Sequence, residues 1–265
     1  MRPPCPTGGS WGTGQGEVLS NVWLRITVLS LAGLFLGGIT AAAQAPPDLA
    51  GIWSPSRAAG PGAPAPPTPL LLKPGYKEPY DARRALERAA NARGEQLAEP
   101  GSLCKPYGMP TMMQVAVYPM EVIQTPKQVT IVAEAFSEVR RIYIGKPQSS
   151  PDDVSPGYYG RSVGHWDGDA LVVDTIGVSP MVRGYQGMPH SEQMHITERI
   201  RRTAAKTLQD QITIEDPVVL EKPVTYTLVY ALVADYEMVE FVCDNNREYV
   251  DEKGIVRMRL GGGKE

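Results

Sequence analysis

The stretch RSVGHWDGDALVVDT, residues 161–175, decides the fold. Arg161–Trp166 and Asp169–Thr175 read as two short strands, and Asp167-Gly168 between them tolerates the positive φ angles of a type I′ turn, so the whole predicts an antiparallel hairpin. The same period-two pattern continues on both sides. Upstream, Met120–Gln124, Gln128–Ala135 and Glu138–Ile144 follow one another at hairpin spacing, with Pro126 marking the first turn. Downstream, Met194–Arg202 and Thr207–Glu215 are joined by a turn at 203–206, and Val224–Leu232 and Tyr236–Cys243 are joined at Ala234-Asp235. Asp48–Trp53 adds a first strand that stops at Pro55, giving about ten strands in hairpin order. A meander of this length exposes its edges unless it closes, so the expected fold is mainly β, an antiparallel up-and-down barrel or strongly curled sheet, with a two-sheet sandwich as the competing arrangement.

Composition supports one such unit. The chain has 265 residues, 42% apolar and 21% charged, with 27 Gly and 25 Pro; that turn-rich balance excludes a helix bundle. A net charge of −3 and the absence of any Lys/Arg block exclude the electrostatic footprint of a nucleic-acid binder. Residues 26–39 form an apolar run after Arg25, followed by Ala43-Gln44-Ala45, the small-residue pattern of a signal-peptidase site. The run is shorter than the ~20 apolar residues of a membrane span. Residues 1–45 are therefore expected to be an export signal cleaved near Ala45, leaving a periplasmic or secreted chain with no membrane span. Residues 46–75 hold the first strand and a Pro/Gly-rich strap at 54–69, and residues 76–265 hold a helix at Tyr76–Arg93 and the meander, forming one domain with residues 46–53. The helix is weakly amphipathic and belongs on the outside. Loss of Cys5 with the signal leaves Cys104 and Cys243, an even count without C-x-x-C, and predicts one disulfide in an oxidising compartment.

Gly51-Ile52-Trp53, at the start of the first strand, resembles the G-x-W that opens the lipocalin barrel, and Gly164-His165-Trp166 repeats the spacing. The combination of GHWDGDALVVDT (164–175), PHSEQMHITER (189–199) and EFVCDNN (240–246) resembles a widespread family of exported bacterial proteins of unassigned function. These resemblances imply a lipocalin-like barrel over nearly all of residues 48–250, with one peripheral helix, and imply no activity.

Chemistry concentrates in Pro189–Arg199. His190 sits in a turn leading into a strand and His195 at that strand's start, where both can face a barrel mouth. Along the strand His195, Thr197, Arg199 and Arg201 share one face, while Met194, Ile196, Glu198 and Ile200 share the other. The apolar face belongs inside, which puts Glu198 in apolar surroundings. Such a carboxylate either pairs with Arg140, Arg141 or Arg161, or stays unpaired with a raised pKa and acts as a general acid or base. Glu134 and Asp174 are weaker members of the same set. His190, His195 and Glu192 are the side chains for a divalent metal, should one bind, although His-x4-His does not fix two rings on one side of a strand and no cofactor is expected. No G-x-S-x-G, H-E-x-x-H, phosphate loop or dinucleotide fingerprint is present.

Two classes of function follow. One is a small exported enzyme acting on an apolar or aromatic molecule by His190, His195 and Glu198 proton transfer, of lyase, isomerase or hydrolase type, with a metal-dependent variant on the same side chains. The other is a lipocalin-like binding protein in which Tyr143, Trp166, Arg141, Tyr226 and Tyr230 line the pocket. His195 and Glu198, three apart on a flat strand, face opposite ways, so a joint role requires a bulge.

Overall fold

A computed structural model describes residues 45–56, 63–99, 104–115, 118–243 and 248–258. The expected export signal lies outside them except for Ala45, as does part of the strap, residues 57–62. The strands are β1 (Gly51–Ser56), β2 (Gln96–Leu97), β3 (Met120–Thr125), β4 (Gln128–Ala133), β5 (Glu138–Ile144), β6 (Arg161–Asp167), β7 (Ala170–Ile176), β8 (His195–Ala204), β9 (Thr207–Glu215), β10 (Val224–Leu232), β11 (Glu248–Val250) and β12 (Ile255–Met258). Nine of these described strands, β1 and β3 to β10, close into a barrel in chain order, with β1 paired to both β3 and β10. β2, β11 and β12 form a separate small sheet.

Closure is as expected, but strict up-and-down alternation is not. A closed ring of strands can alternate direction throughout only if their number is even. Nine strands force one parallel pair, and it falls between β5 and β6. The connection 145–160 is long enough to carry the chain back to the same end, as a parallel pair requires. At this seam Gly164 permits close approach: a Cβ there would meet Ile142 Cγ2 at 3.0 Å and Leu171 Cδ1 at 3.1 Å.

The odd count arises because Tyr236–Cys243 is not a strand. The edge of β10 that it would need is taken by β1, with Trp53 opposite Leu232 and Ser56 opposite Val229. The segment is held by side chains instead. Glu134 accepts hydrogen bonds from the Tyr236 hydroxyl at 2.7 Å and the Val239 amide at 3.2 Å, and Phe241 packs against Phe136 and Tyr118. Cys243 ends it in the expected disulfide with Cys104.

Two boundaries also differ. β1 runs through Pro55, which lies opposite Tyr230 beyond the end of β3, where a missing N–H costs least. The β6–β7 turn is centred on Gly168-Asp169, since Asp167 pairs with Ala170, and only Gly168 has positive φ, a type II′ pattern. The helix α1 (Pro74–Ala92) begins with Pro at its first position and buries only Ala90, so it is peripheral as expected. Among the described residues no helix is long and apolar enough to cross a membrane.

Inward side chains fill the barrel. Trp53, Ile131, Ile142, Leu171, Ile196, Ile212 and Tyr230 are all essentially inaccessible, and Met109, Met112, Met113 and Met188 from two loops pack on them. Reduction of the disulfide, or Cys104→Ser, is expected to lower unfolding free energy by at most about 4–5 kcal/mol, the chain-entropy limit for so long a loop, measured by urea denaturation with and without reductant.

Candidate functional site

Alternation along β8 puts Ile196, Glu198 and Ile200 inside the barrel and His195, Thr197 and Arg199 outside. Glu198 is fully buried, and so is Arg140 on β5. Arg140 Nη1 donates to Glu198 Oε1 at 2.8 Å, and Nη2 donates to Glu198 Oε2. The same guanidinium donates to Thr175 Oγ1 at 3.0 Å and to Ser162 Oγ at 3.2 Å, and those two hydroxyls are 2.8 Å apart. Both Glu198 oxygens are thus engaged in a bidentate pair, the first of the two fates open to a buried carboxylate.

Asp210 on β9 completes the belt. It is fully buried on the same inner face, one diagonal step from Glu198, and no described donor reaches its oxygens. Burial pushes its carboxyl well above the usual range; the negative charge of Glu198 adds to this and Arg140 opposes it. Two facing carboxylates without a donor between them are untenable, and a proton on Asp210 supplies that donor. The alternation that placed Glu198 inside also places Asp210 inside, on Leu208, Asp210, Ile212 and Ile214, so the signal for it was in the sequence.

The histidines lie elsewhere. His195 is on the outer face, where its Nε2 donates to Asp174 Oδ2 at 2.6 Å and its Nδ1 lies 3.4 Å from Glu215 Oε2. The side chains of His195 and Asp174 are about one-third exposed, at 34% and 38%. Asp174 is fixed from behind: Gln148 Nε2 donates to its Oδ1 at 2.6 Å, and Arg161 Nη1 donates to Gln148 Oε1 at 2.8 Å. His195 stands between two clefts. The larger, about 780 Å³, is lined by Pro151, Val154, Pro156, Ile176 and Met194 with Asp152, Asp174 and Glu192; the smaller, about 400 Å³, by Glu215, Asp216, Leu220 and Lys222.

The expected constellation is therefore divided. His195 and Glu198 are on opposite sides of the barrel wall, with no bulge between them. His190 is only 6% exposed; its Nδ1 donates to the Ser191 carbonyl at 2.9 Å, and Ser191 is anchored on buried Asp216. Neither cleft beside His195 is lined by His190, and among the described residues no three His, Cys, Asp or Glu side chains gather as a metal would require. Glu192 does line the larger cleft. Of the expected pocket lining, Tyr226 and Tyr230 face inward and are buried, the Tyr230 hydroxyl donating to the Met113 carbonyl. Trp166 is partly buried at the margin of that core. Arg141 and Tyr143 alternate outward on β5, Tyr143 beneath Lys146. No family model matches the chain, and no curated protein matches it.

Arg140→Met strands Glu198 without a partner and is expected to cost about 3–5 kcal/mol of stability in urea unfolding, part of it recovered in Arg140→Met/Glu198→Gln. Asp210 gives a pH signature. Its folded pKa is raised above the ordinary 3.8, so the native state binds the proton more tightly, and stability falls as pH rises from that value toward the folded one. Asp210→Asn removes this titration while keeping a donor toward Glu198. The variant is expected to lack this fall and so to show a flatter stability profile as pH rises above the ordinary carboxylate value of 3.8, read from urea midpoints.

Proposed function

We propose that the protein is an exported small-molecule enzyme whose site is the outer cleft beside His195, with Asp174 and His195 as its proton-transfer pair. The supporting observation is that His195 alone among the described histidines is both accessible and fixed between two carboxylates, Asp174 and Glu215. The bond from Nε2 to Asp174 keeps one ring orientation, and Nδ1, which makes no hydrogen bond among the described residues, is the atom that can exchange a proton with a bound molecule. Gln148 and Arg161 orient Asp174, and Asp174 orients His195. Glu198, engaged by Arg140, supports the barrel from inside and takes no part.

The cleft suggests the substrate class. Its Pro, Val, Ile and Met walls suit an apolar or aromatic body, and Asp152, Asp174 and Glu192 favour a cationic or hydrogen-bond-donating end. An arylalkylamine, with an aromatic ring and an ammonium end, meets both demands. Export is supported by the Cys104–Cys243 disulfide, a linkage that persists in oxidising compartments. Non-catalytic binding in the same cleft is the second reading, favoured by the packed barrel interior, which directs any ligand to the outside.

Titration of isotope-labelled protein with tyramine, followed by NMR, is expected to shift the His195 ring and backbone signals of residues 148–156 and 192–195 in a saturable way. Asp174→Asn or His195→Gln is expected to weaken the response about tenfold, the scale of one charge-assisted hydrogen bond. Signals confined to the barrel interior, or no saturable shift, would overturn the cleft as the site. Binding that persists while no amine or related aromatic is chemically altered on prolonged incubation would reduce the proposal to the second reading.

A further inference from the structure

Further along the outer face of β8 the character of the wall changes. Arg199 stands opposite Gln211, and Gln211 opposite Thr227 on β10; one step on, Arg201 stands opposite Gln209. These five side chains line a cavity of about 330 Å³ whose remaining border is Ala63, Pro64 and Ala65 of the strap. The strap is tied down nearby: the Thr68 amide donates to the Thr225 carbonyl at 2.9 Å, and the Thr225 amide donates to Thr68 Oγ1 at 2.7 Å.

No carboxylate lines this cavity. Arg199 has one at its edge, donating from Nη1 to Asp167 at 2.9 Å, whereas Arg201 meets no acceptor among the described residues. Two guanidinium groups on one face of a strand, two residues apart, repel each other, and one acidic neighbour offsets only half of that charge. A bound anion relieves the remainder. Guanidinium forks match carboxylate and phosphate oxygens, and the two Gln amides and the Thr hydroxyl offer donors and acceptors suited to hydroxyl groups. The volume is at the small end of ligand sites.

We propose that this cavity binds a hydroxylated anion of single-sugar size, a sugar acid or sugar phosphate, with Arg201 as its principal anion contact and Gln209, Gln211 and Thr227 on its hydroxyls. The site is separate from the cleft beside His195 and does not depend on that reading.

Calorimetric titration of the purified protein at low ionic strength with glucuronate, glucose 6-phosphate and glucose tests it. At least one of the two anions is expected to bind saturably and glucose not at all; which anion binds distinguishes carboxylate from phosphate as the recognised group. Arg201→Ala is expected to weaken binding tenfold or more, and Arg201→Lys to restore only part, since an ammonium lacks the fork. Gln209→Ala, which leaves the charge untouched, is expected to weaken it severalfold. Arg141→Ala, an equal charge change on the outer face of β5, is expected to leave it unchanged. Absence of saturable binding of either anion at millimolar concentration overturns the proposal, as does an equal loss in Arg141→Ala and Arg201→Ala, the mark of diffuse charge attraction. Thermal unfolding of each variant confirms that a loss of binding is not a loss of fold.

Discussion

The barrel depends on the buried pair Arg140–Glu198. A ring of nine strands must contain one parallel seam, and the β5–β6 ladder there spans only three residue pairs, Ile142–Ser162 to Ile144–Gly164. From β5, Arg140 reaches across that seam to Ser162 on β6, Thr175 on β7 and Glu198 on β8. One side chain thus ties four consecutive strands together across a short ladder. A buried ion pair is often no more stabilising than apolar packing, because desolvation offsets the attraction. Its value here is in specification: only one register of β5 against β8 lets both forks of the guanidinium meet both carboxylate oxygens.

That arrangement leaves the inside of the barrel filled. With Arg140, Glu198, Asp210, Tyr230 and Trp53 packed inside, the interior is occupied by protein groups satisfying one another. Period-two alternation then sends every second residue of the same strands outward, and on the outer rows His195 of β8 has Glu215 of β9 opposite it and Asp174 of β7 one diagonal step away. The motif PHSEQMHITER serves both faces at once. Its Glu198 specifies the barrel, its His195 faces outward, and its Ser191, whose carbonyl accepts from His190, fastens the preceding loop to Asp216.

Much of this was legible in the residues alone. Alternation on Met194–Arg202 placed Glu198 inside and named Arg140 among its partners, and the cysteine count paired Cys104 with Cys243. What was not legible depends on relations between segments. The hydrophobic alternation of Tyr236–Cys243 is that of a strand, and nothing local reveals that β1 has already taken its place beside β10. With that strand counted, the total is even and no parallel seam is needed; without it, one is unavoidable. The dyad was hidden for the same reason, since pairing Asp174 with His195 requires the β7–β8 register, and Gln148, which fixes Asp174, comes from a crossover loop that exists only because the seam is parallel.

The outer row of β8 also shows how one strand can carry two unlike surfaces. His195 is flanked by Asp174 and Glu215, whereas Arg199 and Arg201 are flanked by Gln211 and Gln209. At the rise of an antiparallel strand, four to six residues separate His195 from the two arginines by about 14–20 Å. The Debye length at physiological ionic strength is about 8 Å, so at the solvent-exposed wall His195 and Glu215 are largely screened from the arginines, whereas Asp174, opposite Thr197, is within that distance of the Arg199 level. Asp174, opposite the uncharged Thr197 and so between the two groups, has one oxygen engaged by His195 and the other by Gln148, which ties its charge to the histidine end of the row.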